Sequence, residues 1–156
     1  MAMIEHPYKF IIDTSAMLSQ KGNEPYRRTV LRSQWASLDE MVKREEIVTC
    51  SELKIEVQDK SILDWMEECG MRILPIDREV QEYVKQVVKT NKLLVDFKLN
   101  KSSGDAFLIA TAMKYGLTVI TNERKNAPTR IPYTCQMLDV PCLNVMDFFE
   151  EQHFIY

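Results

Sequence analysis

The chain has 156 residues, 46% hydrophobic and 28% charged, enough for one globular domain with its own core and no need of disulfide staples. Its net charge of −3 argues against a plain nucleic-acid binder, which would carry a basic footprint, although an acidic metal site would itself lower the formal charge. No apolar run approaches the ~20 residues of a membrane span, and Phe10, Ile11 and Ile12 run straight into Asp13 with no signal-peptide core, so a cytoplasmic protein is expected.

Lys9-Phe-Ile-Ile-Asp13 is a short apolar run ending in an acid, which predicts a buried strand. Pro25 suits the first turn of a helix running to about residue 45, with Val30, Leu31, Trp35, Leu38 and Val42 at helical spacing. A second strand over 46–50 leads to Ser51 as N-cap of a helix over 52–57. Residues 61–69 are again helical with Gly70 as the stop, and 71–75 form a strand placed near an edge by its proline. From Asp77 to about Leu94 the apolar side of a helix holds Val80, Tyr83, Val84, Val87 and Val88.

Ser102-Ser-Gly-Asp105 opens the next helix, which runs to Tyr115 and has Leu108, Ile109, Ala112 and Met113 on its apolar face. A fourth strand follows over 117–121, a short helix from Pro132 to Leu138 and a small strand over 142–145. Asn144 or Met146 begins a terminal helix, with Asp147, Glu150 and Glu151 in its early turns, where the dipole favours acids. Strands alternating with helices predict an α/β fold with a parallel sheet. Cys50, Cys69, Cys135 and Cys142 include no CxxC pair and read as small buried side chains.

In parallel sheets the sites lie at the carboxyl ends of the strands, and that rule selects four acids. Asp13 ends the first strand and Glu123 lies just past the fourth. Asp105 opens the helix before that fourth strand, and Glu56 is on the helix after the second. Carboxylates and water, without His or Cys, suit hard cations such as Mg2+ or Mn2+, and a pair of such ions can stabilise the attacking and leaving oxygens of a phosphodiester. Each acid also has a plain structural reading. Asp13 could cap its Asp-Thr-Ser turn, Asp105 could be a helix N-terminal acid, and Glu123, beside Arg124 and Lys125, could be surface charge. Glu56 is not told apart by spacing from Glu45, Glu46 or Glu52.

Phe-Ile-Ile-Asp13-Thr-Ser resembles the opening motif of PIN-domain nucleases, Ser103-Gly-Asp105-Ala-Phe-Leu-Ile-Ala-Thr-Ala112 their third-acid helix, and Val119-Ile-Thr121-Asn-Glu123 the strand end that carries the fourth acid. Glu52-Leu-Lys-Ile-Glu56-Val is similar to their second-acid helix, with the glutamate at Glu56 and Glu52 as the other choice. The tail, Ile131-Pro-Tyr-Thr-Cys135 and Val140-Pro-Cys-Leu-Asn-Val145, resembles a PIN-like subgroup known as a domain of unknown function.

The resemblance implies a single PIN-like (Rossmann-like) domain over 1–156, core about 9–149, with a central parallel sheet flanked by helices. It implies Mg2+ or Mn2+, endoribonuclease activity and a role as the toxin of a toxin–antitoxin pair, as in VapC-type toxins. On that reading Asp13, Asp105 and Glu56 hold the metal and Glu123 orients the ion or a bound water. Thr14, Ser15 and Thr121 bond waters or the scissile phosphate. The expected partners are RNA, an antitoxin protein and a second copy of the chain, with no membrane. Two departures stand out: Ser15 replaces the Asn of many such toxins, and Glu123 is followed by Arg124, Lys125 and Asn126 rather than by a further acid.

An aspartyl-nucleophile phosphatase needs a second Asp at position 15, where this chain has Ser15, and a receiver domain needs paired acids that are not found here. A catalytically silent interaction module on the same fold stays open. A metal-free ribonuclease would use His, but His6 and His153 lie near the two ends. An acidic chain must attract RNA locally. Lys85, Lys89, Lys92, Lys98 and Lys101 face a single acid, Asp96, over 85–101, and the first three are spaced to share one helix face. Lys89, Lys92 and Lys98 are the expected RNA contacts unless this is only a solvated lysine face, with Arg124, Lys125 and Arg130 next.

Overall fold

Phe10, Ile11 and Ile12 are buried one after another. A strand apolar on both faces needs cover on both faces, so the run belongs in the middle of a parallel sheet. A computed structural model describes residues 5–92, 104–123 and 130–154. In chain order its elements are β1 (Phe10–Ile12), α1 (Thr14–Leu18), α2 (Arg32–Lys43), β2 (Ile47–Cys50), α3 (Ser51–Glu56), α4 (Lys60–Cys69), β3 (Ile73–Leu74), α5 (Arg78–Thr90), α6 (Gly104–Tyr115), β4 (Thr118–Ile120), α7 (Ile131–Met137), β5 (Cys142–Leu143) and α8 (Val145–Glu151).

The sheet runs β3-β2-β1-β4-β5, with every pairing parallel and Ile11 in register with Val48 on one side and Val119 on the other. The chain builds outward from β1 to β3, then crosses back to place β4 and β5 on the other side of β1. That reversal opens a crevice at the carboxyl ends of β1 and β4, where α/β sheets take their ligands. On the helices, α6 packs against α5, α3 and the strands β1, β2 and β4. Its Leu108, Ile109 and Ala112 are buried as expected. α2 and α8 meet through Trp35 and Phe149, whose rings lie edge-on at 5.5 Å. Among the described residues no helix is long and apolar enough to cross a membrane.

Most predicted elements recur within a residue or two. Gly70 ends α4 with φ +65, where a side chain would be strained, and β3 is an edge strand. Four expectations need correction. The helix expected from Pro25 begins only at Arg32, and residues 19–31 form successive turns. The reason is hydrogen bonding from outside the segment. The Trp35 indole donates to the Tyr26 carbonyl at 2.7 Å, taking an acceptor that a helix would use internally. Arg28 is drawn to Asp39 by paired bonds of 2.7 and 2.9 Å and to Gln20 at 2.8 Å. Ser51 is the first residue of α3 rather than its cap, since Cys50 holds that place without a side-chain bond. Cys142 is only half-buried, while Cys50, Cys69 and Cys135 are buried thiols. Lys92 lies past the end of α5, because Asn91 turns extended and donates its amide to the Thr134 hydroxyl at 2.8 Å. Leu94 and Ser102 lie outside the described residues.

Trp35→Phe tests what holds residues 19–31. It shrinks a fully buried side chain and leaves the Tyr26 carbonyl without its donor, which should cost about 2 kcal/mol. The expected result is a lower urea midpoint with an unchanged slope. Loss of less than about 0.5 kcal/mol would mean that the segment holds its shape without the indole.

Candidate functional site

Asp13 follows the buried strand β1 directly, so its side chain stays inside, at 3% exposure. It caps α1, with Oδ1 accepting from the Ala16 amide at 3.0 Å. Ser15 donates to the same oxygen at 2.8 Å, and Thr121 donates to Oδ2 at 2.8 Å. Thr121 comes from the neighbouring strand end, where the Asp13 amide is bonded to the Ile120 carbonyl at 3.0 Å. The Asn122 amide donates to Ser15 Oγ at 3.0 Å and the Glu123 amide reaches Thr121 Oγ1 at 3.2 Å. The carboxyl ends of β1 and β4 are thus joined by hydroxyls around one carboxylate.

Glu56 ends α3, and its Oε1 accepts from the Gly104 amide at 2.9 Å. Gly104 opens α6, so this bond sets Glu56 beside Asp105. The contact is close enough that a Cβ on residue 104 would displace the Glu56 carboxylate. Glu123 accepts from the Ile131 amide at 3.0 Å and pairs with Arg130 at 3.2 Å. Its side chain is 13% exposed, so it is not loose surface charge. No described residue donates a hydrogen bond to the Asp105 carboxylate.

Burial pushes the Asp13 carboxyl from 3.8 up to about 6, against the bonds from Ala16, Thr121 and Ser15 that pull it down. Burial also leads for Asp105, which rises from 3.8 to about 7, helped by the charges of Glu123, Asp13 and Glu56 and opposed by Arg130. A helix N-terminus favours an ionised acid by ~0.3–1 kcal/mol, so at Asp105 desolvation and like charge outweigh the dipole of α6. Glu56 is raised as well, chiefly by burial.

The structure therefore gathers Asp13, Glu56, Asp105, Glu123, Ser15 and Thr121 at the crevice. Glu52, the other candidate for the second acid, faces a separate hollow with Ile76 and Gln81. As the side chains stand, no three acids, histidines or cysteines among the described residues are grouped tightly enough to hold an ion. The donors are nonetheless all oxygen, and buried carboxylates that raise one another's proton affinity are the environment a hard cation relieves. Thr14 opens α1, but its hydroxyl makes no hydrogen bond to a described residue. Lys89 is exposed on α5, with Glu79 and Glu82 nearby. Lys98, Lys101, Arg124 and Lys125 lie outside the described residues. His6 stacks on Tyr8 at 4.8 Å and meets Tyr115 edge-on at 5.5 Å, away from the acids.

Sequence reasoning missed Asn122, which ties Ser15 to the Val145 amide, the latter bond being 3.0 Å. It also missed the clamp role of Gly104, although Ser-Gly-Asp105 contained the signal. A cleft of about 650 Å³ opens next to Glu123 and Thr121, with Tyr26, Gln136 and Asn144 among its walls.

Three solved structures share this architecture. The crystal structure of FitAcB from Neisseria gonorrhoeae matches at 19% identity and a TM-score of 0.54, over 88% of this chain and 98% of that one. A structure of FitAB bound to the IR36 DNA fragment gives 19% and 0.54, over 87% and 94%. The crystal structure of PAE2754 from Pyrobaculum aerophilum gives 12% and 0.53, over 94% and 97%. With the five-stranded parallel sheet and its flanking helices, they define a PIN-like α/β fold. Within that class the chain belongs to the family described as "Domain of unknown function (DUF4411)", whose model matches residues 10–156. No curated protein matches.

The raised carboxyls make stability depend on pH. A folded-state carboxyl that holds its proton more tightly than the unfolded one stabilises the fold on acidification. Its contribution is complete below the unfolded value and is lost as pH rises through the folded one. For Asp13 the rise from 3.8 to about 6 corresponds to roughly 3 kcal/mol. Asp59 and Asp77, held below their ordinary range by Lys21 and Lys114, stay charged between pH 5 and 8. In chelator, the denaturant midpoint should therefore be higher at about pH 5.5 than at about pH 8. Asp13→Asn and Asp105→Asn should each flatten that difference. A slope untouched by both variants would refute the buried-carboxylate picture.

Proposed function

We propose that the chain is a Mg2+- or Mn2+-dependent endoribonuclease. The observation that carries this is the meeting of four carboxylates, from β1, α3, α6 and the end of β4, at the crevice where the strand order reverses. Asp13, Asp105 and Glu56 would hold the metal, with Glu123 turned toward the same space and braced by Arg130. The ion would supply Lewis-acid stabilisation of the phosphodiester and a water acidified enough to attack it. Ser15 and Thr121 keep the Asp13 carboxylate fixed at the crevice. The Gly104 amide fixes Glu56, and burial keeps bulk water from screening the acids. Lys89 offers an exposed cation for the RNA backbone.

A toxin role with an antitoxin partner fits the same reading. FitAB was solved on a DNA fragment, whereas a chain of net charge −3 is poorly suited to hold DNA by itself. A basic partner protein is the expected DNA contact. One observation favours a silent interaction module instead: no three metal-ligand side chains among the described residues are grouped for an ion. A Mn2+ titration separates the two readings.

Asp13→Asn and Asp105→Asn should each lower RNA cleavage by roughly 100-fold or more, in line with several kcal/mol of metal-borne stabilisation, with far-UV circular dichroism unchanged. Wild-type products should carry 5′-phosphate and 3′-hydroxyl ends, read by mass spectrometry. Cyclic phosphate ends, or cleavage that survives a chelator, would sink the metal reading.

Gly104→Ala tests the clamp on Glu56. The obstructing atoms are the far end of a flexible side chain, so the fold should survive. Mn2+ affinity should nevertheless fall about tenfold, as in Glu56→Gln. Undiminished affinity in both variants would remove Glu56 from the site.

A further inference from the structure

The cleft beside Glu123 has a chemistry of its own. It holds about 650 Å³, within the range of small-molecule sites, and shares Thr121 and Glu123 with the acid cluster, so it opens where a substrate phosphate would lie. No described lysine or arginine lines it, while Glu24 and Glu123 do. Among the described residues the charge lining the cleft is acidic, which suits a neutral ring better than a second phosphate.

Three amide side chains stand in its walls: Asn122, Gln136 and Asn144. Asn122 Oδ1 accepts from the Val145 amide at 3.0 Å and Asn144 Oδ1 accepts from the Asp147 amide at 2.7 Å. Only an oxygen can accept, so these bonds fix which end of each amide is which. The Nδ2 groups are left over, and neither donates to a described residue. The walls therefore set amide donors beside the carboxylates of Glu24 and Glu123. Its other walls include the Tyr26 ring and Pro132, flat surfaces on which a base can stack. The backbone that carries Tyr26 is held through its carbonyl, bonded to Trp35 Nε1 at 2.7 Å.

We infer that this cleft is a base-selective subsite, taking one unpaired nucleobase next to the scissile phosphate and preferring bases that set a carbonyl beside a ring N–H. Uracil and guanine each set a carbonyl, which accepts from the amide donors, beside a ring N–H, which Glu24 or Glu123 can accept; cytosine and adenine have no ring N–H on that edge. A base can reach such a cleft only when it is unstacked, so single-stranded RNA is the substrate class. The inference rests on the nuclease reading, and the test separates the two.

In one arm, a randomised single-stranded oligoribonucleotide pool is digested with Mn2+ and the product ends are sequenced. One position beside the cut should favour U or G. Tyr26→Ala, which keeps the carbonyl that Trp35 uses, and Gln136→Leu should each reduce that bias and raise KM roughly tenfold, with Mn2+ affinity retained. In the other arm, free nucleosides are titrated into 15N-labelled protein. Uridine and guanosine should shift the side-chain amide resonances of Asn122, Gln136 and Asn144 more than cytidine and adenosine do. Shifts without cleavage of any RNA would support the subsite and sink the nuclease reading. Cleavage with random ends and unmoved resonances would overturn the subsite and leave the nuclease standing.

Discussion

Two aspartates, Asp13 and Asp105, are taken out of water beside two glutamates, and the mutual repulsion of these carboxylates is what their surroundings must accommodate. Each is handled differently. Asp13 is surrounded by donors from Ser15, Ala16 and Thr121, which offset part of its desolvation. Glu56 takes one backbone N–H from Gly104. Glu123 is shared between a helix N-terminus and Arg130. Asp105 has no such partner among the described residues and is raised further than Asp13. Strain of this kind at a ligand crevice is how a site stores readiness for a counter-charge.

The scaffold makes that strain tolerable. β1 is covered by a neighbour on each side, and α6 is wedged among α3, α5 and the strands, so the backbones carrying Asp13 and Asp105 have little room to move apart. Residues 19–31 contribute from outside the sheet. Arg28, bonded to Asp39 and lying over the Trp35 ring at 5.5 Å, anchors a run of turns that ends as a wall of the cleft. The acids and the cleft thus meet at Thr121, Asn122 and Glu123, while the Tyr26 wall is held from the side of Trp35 and Asp39.

How much of this the amino acids disclosed follows from the range of the forces involved. The sheet was legible because Phe10-Ile11-Ile12 and Thr118-Val119-Ile120 are local apolar runs, and the helices because their apolar residues recur at local spacing. Asp13 and Glu123 were legible as acids at strand ends. Which of Glu52 and Glu56 stands beside Asp105 was not, because the bond that places Glu56 there comes from Gly104, 48 residues further on. The turns over 19–31 were misread as helix for a similar reason. Pro25 and the Val30–Val42 spacing are helical cues, but the indole of Trp35 and the carboxylate of Asp39 override them through tertiary bonds. Asn122 escaped notice because an asparagine after a strand looks like any loop residue until Val145 arrives to bond it.

The central place of β1 also bears on synthesis. Asp13 leaves the ribosome with β1, but Glu123 lies beyond β4 and, among the described residues, is braced by Arg130 and the start of α7. Parallel pairing needs long crossovers before any neighbour can join β1, so a nascent chain carries isolated carboxylates rather than a centre. Whatever these acids do, they do it only once the strand on the far side of β1 has docked. A chain that stops short of it lacks the hydroxyl of Thr121 that holds the Asp13 carboxylate.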